Sequence, residues 1–332
     1  MRSILKHIQR SLVRLFKNAL REELIIPSQI EIRDQIKSDS LVNYNEIVRL
    51  VNINQENINH VRELLDISID VVKLPKATGV QRLFQYSQLL LISRFEKLCK
   101  KLEINYWLDF GTLLGAVRHK GFIPWDDDLD VGMMIGDYKK LCEVNDKELS
   151  QFNLFSPKKF TGTFKKLVLE ELKEDTILGI DIFPYYYESK HSKAAPSLLS
   201  RINECIDEIN RNEVTNEAIE KLSKKYEINQ SVRKVSQEDQ IIYLGTSCIL
   251  YNQILFEPED FFPLNKLQFE DRQLPVPRNY YKLLFSRYGN FFELPKNLTI
   301  DKNRHSNAIN LKDPKLIGKL IHLASIVSFI KD

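Results

Sequence analysis

Residues Asp126-Asp127-Asp128-Leu129-Asp130-Val131 place four carboxylates within five positions and then run straight into apolar residues. Like charges at that density repel unless a cation compensates them. Side chains alternate along a strand, so a strand from Asp128 sets Asp128 and Asp130 on one face while Leu129 and Val131 enter a core. Two such carboxylates, about 7 Å apart along the chain, can hold one divalent cation or bracket two. An EF-hand loop fails on register. With Asp126 at the first position, the sixth is Val131 rather than glycine and the twelfth is Asp137 rather than glutamate. A solvated acidic turn is the plainer alternative, and the interleaved apolar residues count against it.

The flanking elements frame this acidic run. Tyr106-Trp107-Leu108 reads as a short strand, and Gly111-Thr112 then opens a helical pattern. A glycine there lets backbone N–H groups approach a phosphate at a helix N-terminus. Downstream, Gly179-Ile180-Asp181-Ile182-Phe183-Pro184 sets a single aspartate between apolar neighbours. A carboxylate in that position is costly unless paired or metal-bound, so Asp181 is the natural third ligand. Val80–Glu103 has the spacing of a long helix, and β-rich segments are expected at Leu129–Met134, Phe164–Leu169 and Ile177–Phe183. Their alternation with helical or loop stretches predicts a mixed α/β or α+β sheet. From Phe256 onward, dense proline and aromatic residues predict an irregular portion.

A small-residue turn, an Asp-apolar-Asp strand and a later single-carboxylate strand resemble the nucleotidyltransferase superfamily. More closely, GTLLGAVRHKGFIPWDDDLDV with GIDIFP is similar to the LicD family of phosphotransferases, relatives of the fukutin group. Phe269-Glu270 followed by Pro275 or Pro277, Tyr288-Gly289 and His305 extend the match, which covers residues 80–305. The gap from Gly111-Thr112 to Asp128 is longer than in the wider superfamily, which weakens the phosphate-turn role. The resemblance implies an α+β fold, a nucleotidyltransferase-like mixed sheet flanked by helices, here with an N-terminal helical extension. It implies transfer of phosphocholine or a polyol phosphate from CDP-choline, CDP-ribitol or CDP-glycerol to a glycan or its lipid-linked precursor. Asp128, Asp130 and Asp181 would then bind Mg²⁺ or Mn²⁺, with Asp181 either a ligand or the base for the acceptor hydroxyl. Gly111, Thr112, Arg118, His119, Lys166, Glu270 and His305 become candidate substrate contacts. For Arg118 and His119 a plain basic helix end competes, for Lys166 a solvent-facing strand position, and Trp125 reads as packing rather than stacking on a base. The alternatives are a nucleotidyltransferase that leaves the nucleoside monophosphate on its acceptor, or a silent scaffold in polysaccharide assembly.

The remaining chain divides by pattern. Ile4, Ile8, Leu12, Leu15 and Ala19 share a helical face opposite Lys6, Arg10, Arg14, Lys17 and Arg21, and residues 1–21 hold no acid. That is a basic amphipathic helix, suited either to an anionic membrane surface or to docking on the protein's own core. Ile47, Val51, Ile58, Val61, Leu65 and Val72 form a seam that fits a coiled coil and a homo-oligomer, or packing within the chain. Pro75–Gly79 ends this extension, giving domains at 1–75, 76–310 with a polar helical insertion at 188–240, and a C-terminal apolar helix at 311–332. The stretch Leu316–Ile330 is too short to span a bilayer. A net charge of only +3 argues against a nucleic-acid binder. Cys99, Cys142, Cys205 and Cys248 are too scattered for a zinc or disulfide framework, so a cytoplasmic protein is expected, and the basic helix of residues 1–21 adds a peripheral place at the inner face of the plasma membrane.

Overall fold

The computed structural model describes residues 70–157, 165–174, 179–189, 198–210, 221–222, 224–226, 228, 240–244, 255–293 and 313–329. The expected basic helix at residues 1–21, the expected seam from Ile47 to Leu65, and His305 lie outside these residues. The long helix is α1, Gly79–Leu102, which buries Phe84, Leu91, Ile92, Phe95 and Leu98 on one face. It stops where Glu103 turns left-handed at φ 52° and the Ile104 N–H reaches back to the Cys99 carbonyl at 2.9 Å.

A sheet follows, built from β1 (Trp107–Leu108), α2 (Phe110–His119), β2 (Leu129–Met134), α3 (Ile135–Glu143), α4 (Asp146–Ser150), β3 (Leu154–Phe155), β4 (Lys165–Leu169), β5 (Ile180–Ser189), α5 (Leu198–Asn210) and β6 (Gln240–Tyr243). Strand order is β1-β2-β5-β4-β3, with β6 also paired to β5. Among the described residues only β2 and β5 run parallel; the other pairs are antiparallel. This is a mixed sheet flanked by helices, an α+β fold compatible with the nucleotidyltransferase-like architecture that the resemblance implies. β5 runs on past Phe183 because Tyr185 is fully buried and the strand changes edge partner on the way. β4 pairs it up to Ile182 and β6 from Tyr186, and Pro184 falls in the interval, where that edge asks for no ladder bond.

The two faces of the sheet do different work. Leu129, Val131, Met133, Ile180 and Ile182 pack with Phe84 and Phe95 of α1 in the main core. Phe183 and Tyr185 face the other way, among Trp107 and Phe110. Asp130 and Asp181 share that second face, since side chains alternate.

The C-terminal portion is more regular than the dense prolines and aromatics predict. After α6 (Pro258–Phe261), β7 (Asn265–Phe269) and β8 (Arg272–Val276) form a hairpin, followed by α7 (Tyr280–Tyr288) and α8 (Pro314–Phe329). Its two-residue turn, Glu270-Asp271, contains no glycine; Glu270 itself takes a left-handed φ of 56°, so the usual hairpin signal is missing from the sequence. The apolar C-terminal stretch is a core helix, with Leu316, Leu320, Leu323 and Val327 buried against α1. Among the described residues no helix is long and apolar enough to cross a membrane.

Candidate active site

Register brings the acidic residues together. Asp130 of β2 sits directly opposite Asp181 of β5, and Asp181 opposite Lys166 of β4, so three neighbouring strands contribute one row. Asp128 joins from the loop entering β2. One carboxylate oxygen from each of Asp128, Asp130 and Asp181 lies within 4.8 Å of the others. Burial pushes the Asp130 carboxyl well above its usual range, and the charges of Asp128, Asp181, Asp126 and Asp109 push it further. Lys166, itself buried, pairs with Asp181 at 2.7 Å. Gly179 makes room for it, because a Cβ there would stand 2.9 Å from Lys166 Cγ and 2.8 Å from the Leu167 carbonyl.

The turn before α2 is directed at the same place. The Gly111 N–H donates to Asp130 Oδ2 at 3.1 Å, and the Asp130 N–H donates to Thr112 Oγ1 at 2.8 Å. Asp109 caps the helix and donates its own N–H to the Asp130 carbonyl at 3.0 Å. Both groups expected at a phosphate turn therefore hold Asp130. From the opposite side, Gln81, Gln85 and Gln88 lie at i, i+4 and i+7 on α1. Their amides donate to the carbonyls of Asp126 (2.8 and 3.1 Å), Ile123 (3.1 Å) and Asp127 (3.1 Å), which fixes the acidic loop.

The other candidates make contacts of a different kind. Arg118 is buried, donates to the Phe291 carbonyl at 3.0 Å and lies 5.9 Å over the Trp125 ring; burial lowers its pKa to about 10 despite the nearby Asp126. His119 Nε2 meets the Val71 carbonyl at 3.0 Å, and burial together with Arg118 depresses its pKa. Glu270 receives a fork from Arg82 (3.0 and 2.8 Å) and a bond from Lys76 (2.6 Å). Thus the structure brings together Asp128, Asp130, Asp181, Lys166, Gly111 and Thr112, whereas Arg118, His119 and Glu270 each tie the end of α2 or the hairpin to neighbouring elements.

Residues 103–205 match the family model described as LicD/FKTN/FKRP, nucleotidyltransferase domain, a span that contains all three clustered aspartates and Lys166. The chain carries a LicD-type nucleotidyltransferase domain. It is 28% identical over 234 residues to the lipopolysaccharide cholinephosphotransferase LicD of Haemophilus influenzae, covering 62% of this chain and 88% of that one. It is 31% identical over 87 residues to the human ribitol 5-phosphate transferase FKRP, covering 25% of this chain and 17% of that protein. To human ribitol-5-phosphate transferase FKTN it is 31% identical over 110 residues, covering 32% of this chain and 23% of the other.

Around the site of this LicD-type domain, several supporting residues carry no motif signal, some of them outside residues 103–205. Asp109 does stand immediately before the helical pattern, the place where a capping aspartate is expected. Tyr185 and Arg287, which bind its carboxylate, and the glutamine face of α1 have no such marker. Gly111 offers a direct test of the turn. A Cβ there would lie 3.0 Å from Asp126 Oδ2 and 3.6 Å from Asp130 Oδ2. Gly111→Ala is expected to leave thermal unfolding within about 1 kcal/mol of wild type yet reduce turnover roughly tenfold, because the Asp126 carboxylate must shift beside Asp130. Steady-state kinetics beside a melting curve would check this, and unchanged turnover would separate the turn from the chemistry.

Proposed function

We propose that this protein is a metal-dependent phosphotransferase that moves a phospho-alcohol group from a CDP-linked donor to a sugar hydroxyl of a glycan or its lipid-linked precursor. The observation that carries this reading is the convergence of Asp128, Asp130 and Asp181 within 4.8 Å. A divalent cation fits that donor set: all ligands are hard oxygens, and a half-buried carboxylate beside two others is stabilised by positive charge. Mg²⁺ or Mn²⁺ held there would neutralise charge developing on the donor diphosphate. The chain's own groups do the remaining work. Gly111 and Thr112 fix Asp130, Lys166 orients Asp181, and the glutamines of α1 hold the loop bearing Asp128. The acceptor oxygen forms the new P–O bond, the bond to CMP breaks, and CMP leaves with the electron pair. The hydroxyl proton passes to a carboxylate of the cluster.

The relatives' names, cholinephosphotransferase and ribitol 5-phosphate transferase, support phosphocholine or a polyol phosphate as cargo and a glycan as acceptor. Residues 1–21 would bring the enzyme to an anionic membrane surface where a lipid-linked acceptor resides. CDP-choline, CDP-ribitol and CDP-glycerol, offered with Mn²⁺ and a glycan acceptor, should yield acceptor-dependent CMP release from at least one donor. Asp128→Ala should abolish it. Pyrophosphate release from CTP, with no CMP from any of the three, would instead establish nucleotidyl transfer.

A further inference from the structure

Phe110 opens α2 with φ +40°, a left-handed backbone that a bulky side chain rarely takes. Such strain persists only where surrounding contacts over-determine it. Here they converge on one side chain. Arg287, near the end of α7, donates from Nη1 to Asp109 Oδ1 and from Nη2 to the Tyr185 hydroxyl. The Tyr185 hydroxyl in turn donates to Asp109 Oδ2 at 2.6 Å, while Oδ1 also caps the Phe110 N–H at 2.9 Å. The same guanidinium lies 4.0 Å over the Phe110 ring, whose centroid is 4.6 Å from that of Phe183. Asp109 and Tyr185 are completely buried and the Arg287 side chain is 5% exposed, so the cluster is sealed from water.

Asp109 and Phe110 are the two residues whose conformation decides where the next N–H points. That N–H belongs to Gly111 and is bonded to Asp130. We infer that Arg287 is a positioning residue: gripping the Asp109 carboxylate and the Phe110 ring together, it holds the left-handed turn that aims the Gly111 N–H at Asp130. This rests on the metal-site reading of Asp128, Asp130 and Asp181. Lysine would keep the charge, but not the planar fork that serves two acceptors and covers a ring at once.

The test uses the full chain and Mn²⁺ alone as the probe, titrated by calorimetry into wild type, Arg287→Met and Arg287→Lys, with donor kinetics alongside. Arg287→Met is expected to weaken Mn²⁺ binding by about tenfold or more. It should lower kcat more than it raises KM, with Arg287→Lys recovering only part of either. The decisive variant is Arg287→Met combined with Phe110→Asn, because asparagine tolerates the left-handed region. Relief of the strain should restore part of the Mn²⁺ affinity, which a generally weakened fold would not do. Should Arg287→Met fail to fold, Arg287→Lys with and without Phe110→Asn carries the same comparison. Wild-type affinity in a folded Arg287 variant, or a loss that Phe110→Asn does not recover, overturns this inference alone. Absence of Asp130-dependent Mn²⁺ binding in the wild type overturns the metal site and this inference with it.

Discussion

Asp130→Asn is expected to cut turnover at least about a thousandfold while raising the melting temperature of the metal-free protein. Asp130 is half-buried beside Asp128 and Asp181, so ionising it costs folding energy that asparagine avoids. The swap keeps the shape and an oxygen for the Gly111 N–H, so little packing is lost. Raising this acid's pKa in the folded state means that the folded state holds the proton more tightly than the unfolded chain. Stability is therefore lost as pH rises above the ordinary carboxylate range, and the advantage of Asp130→Asn should grow from pH 5 to pH 8. We expect a gain of about 1 kcal/mol, or about 2–4 °C, at the upper end. Saturating Mn²⁺ should then stabilise wild type and leave the variant unmoved. Calorimetric melts across this pH range, paired with CMP release, check both halves. Surviving turnover would remove Asp130 from the chemistry, and a lower melting temperature at pH 8 would show that repulsion is already compensated without an ion.

The acidic strand was legible because its pattern has only one economical solution: apolar residues at 129, 131 and 133 must go inward, which forces Asp130 outward. Asp181 was legible for the same reason, as a lone acid between Ile180 and Ile182. What spacing could not supply was the parallel register that sets these two opposite each other, since it depends on pairing across some fifty residues of intervening chain. Arg287 was still less accessible. It reaches Asp109 from 178 residues away, and although the resemblance marks the adjacent Tyr288-Gly289, nothing in the local pattern points Arg287 at Asp109. The hairpin of β7 and β8 was hidden by a different cause, a turn that uses a strained glutamate where glycine or asparagine would have announced it. The family resemblance did point to Glu270, but what the structure adds is its partners.

Those partners make Glu270 the second large effect. Its carboxylate is 5% exposed and is bound by Arg82, which is 15% exposed, with Lys76 at the rim. Burial alone would raise the carboxyl, yet Arg82 and then Lys76 hold it down at about 2. Its backbone N–H also donates to the Lys120 carbonyl at 2.7 Å, which joins the hairpin to the end of α2. Glu270→Gln should destabilise the protein by ~2 kcal/mol at pH 7, because it leaves the Arg82 charge buried without its counter-ion while the exposed Lys76 contributes little. A depressed folded-state pKa gives stability that is fully present above the unfolded value near 4.5 and is lost as pH falls toward 2. The difference between wild type and Glu270→Gln should therefore be constant from pH 7 to pH 5 and shrink by pH 3, as read by urea unfolding. A substrate contact predicts another outcome: KM for the donor would rise severalfold with no change in unfolding midpoint at any pH. Finding that pattern would return Glu270 to the binding site and leave the Arg82 fork without a structural role.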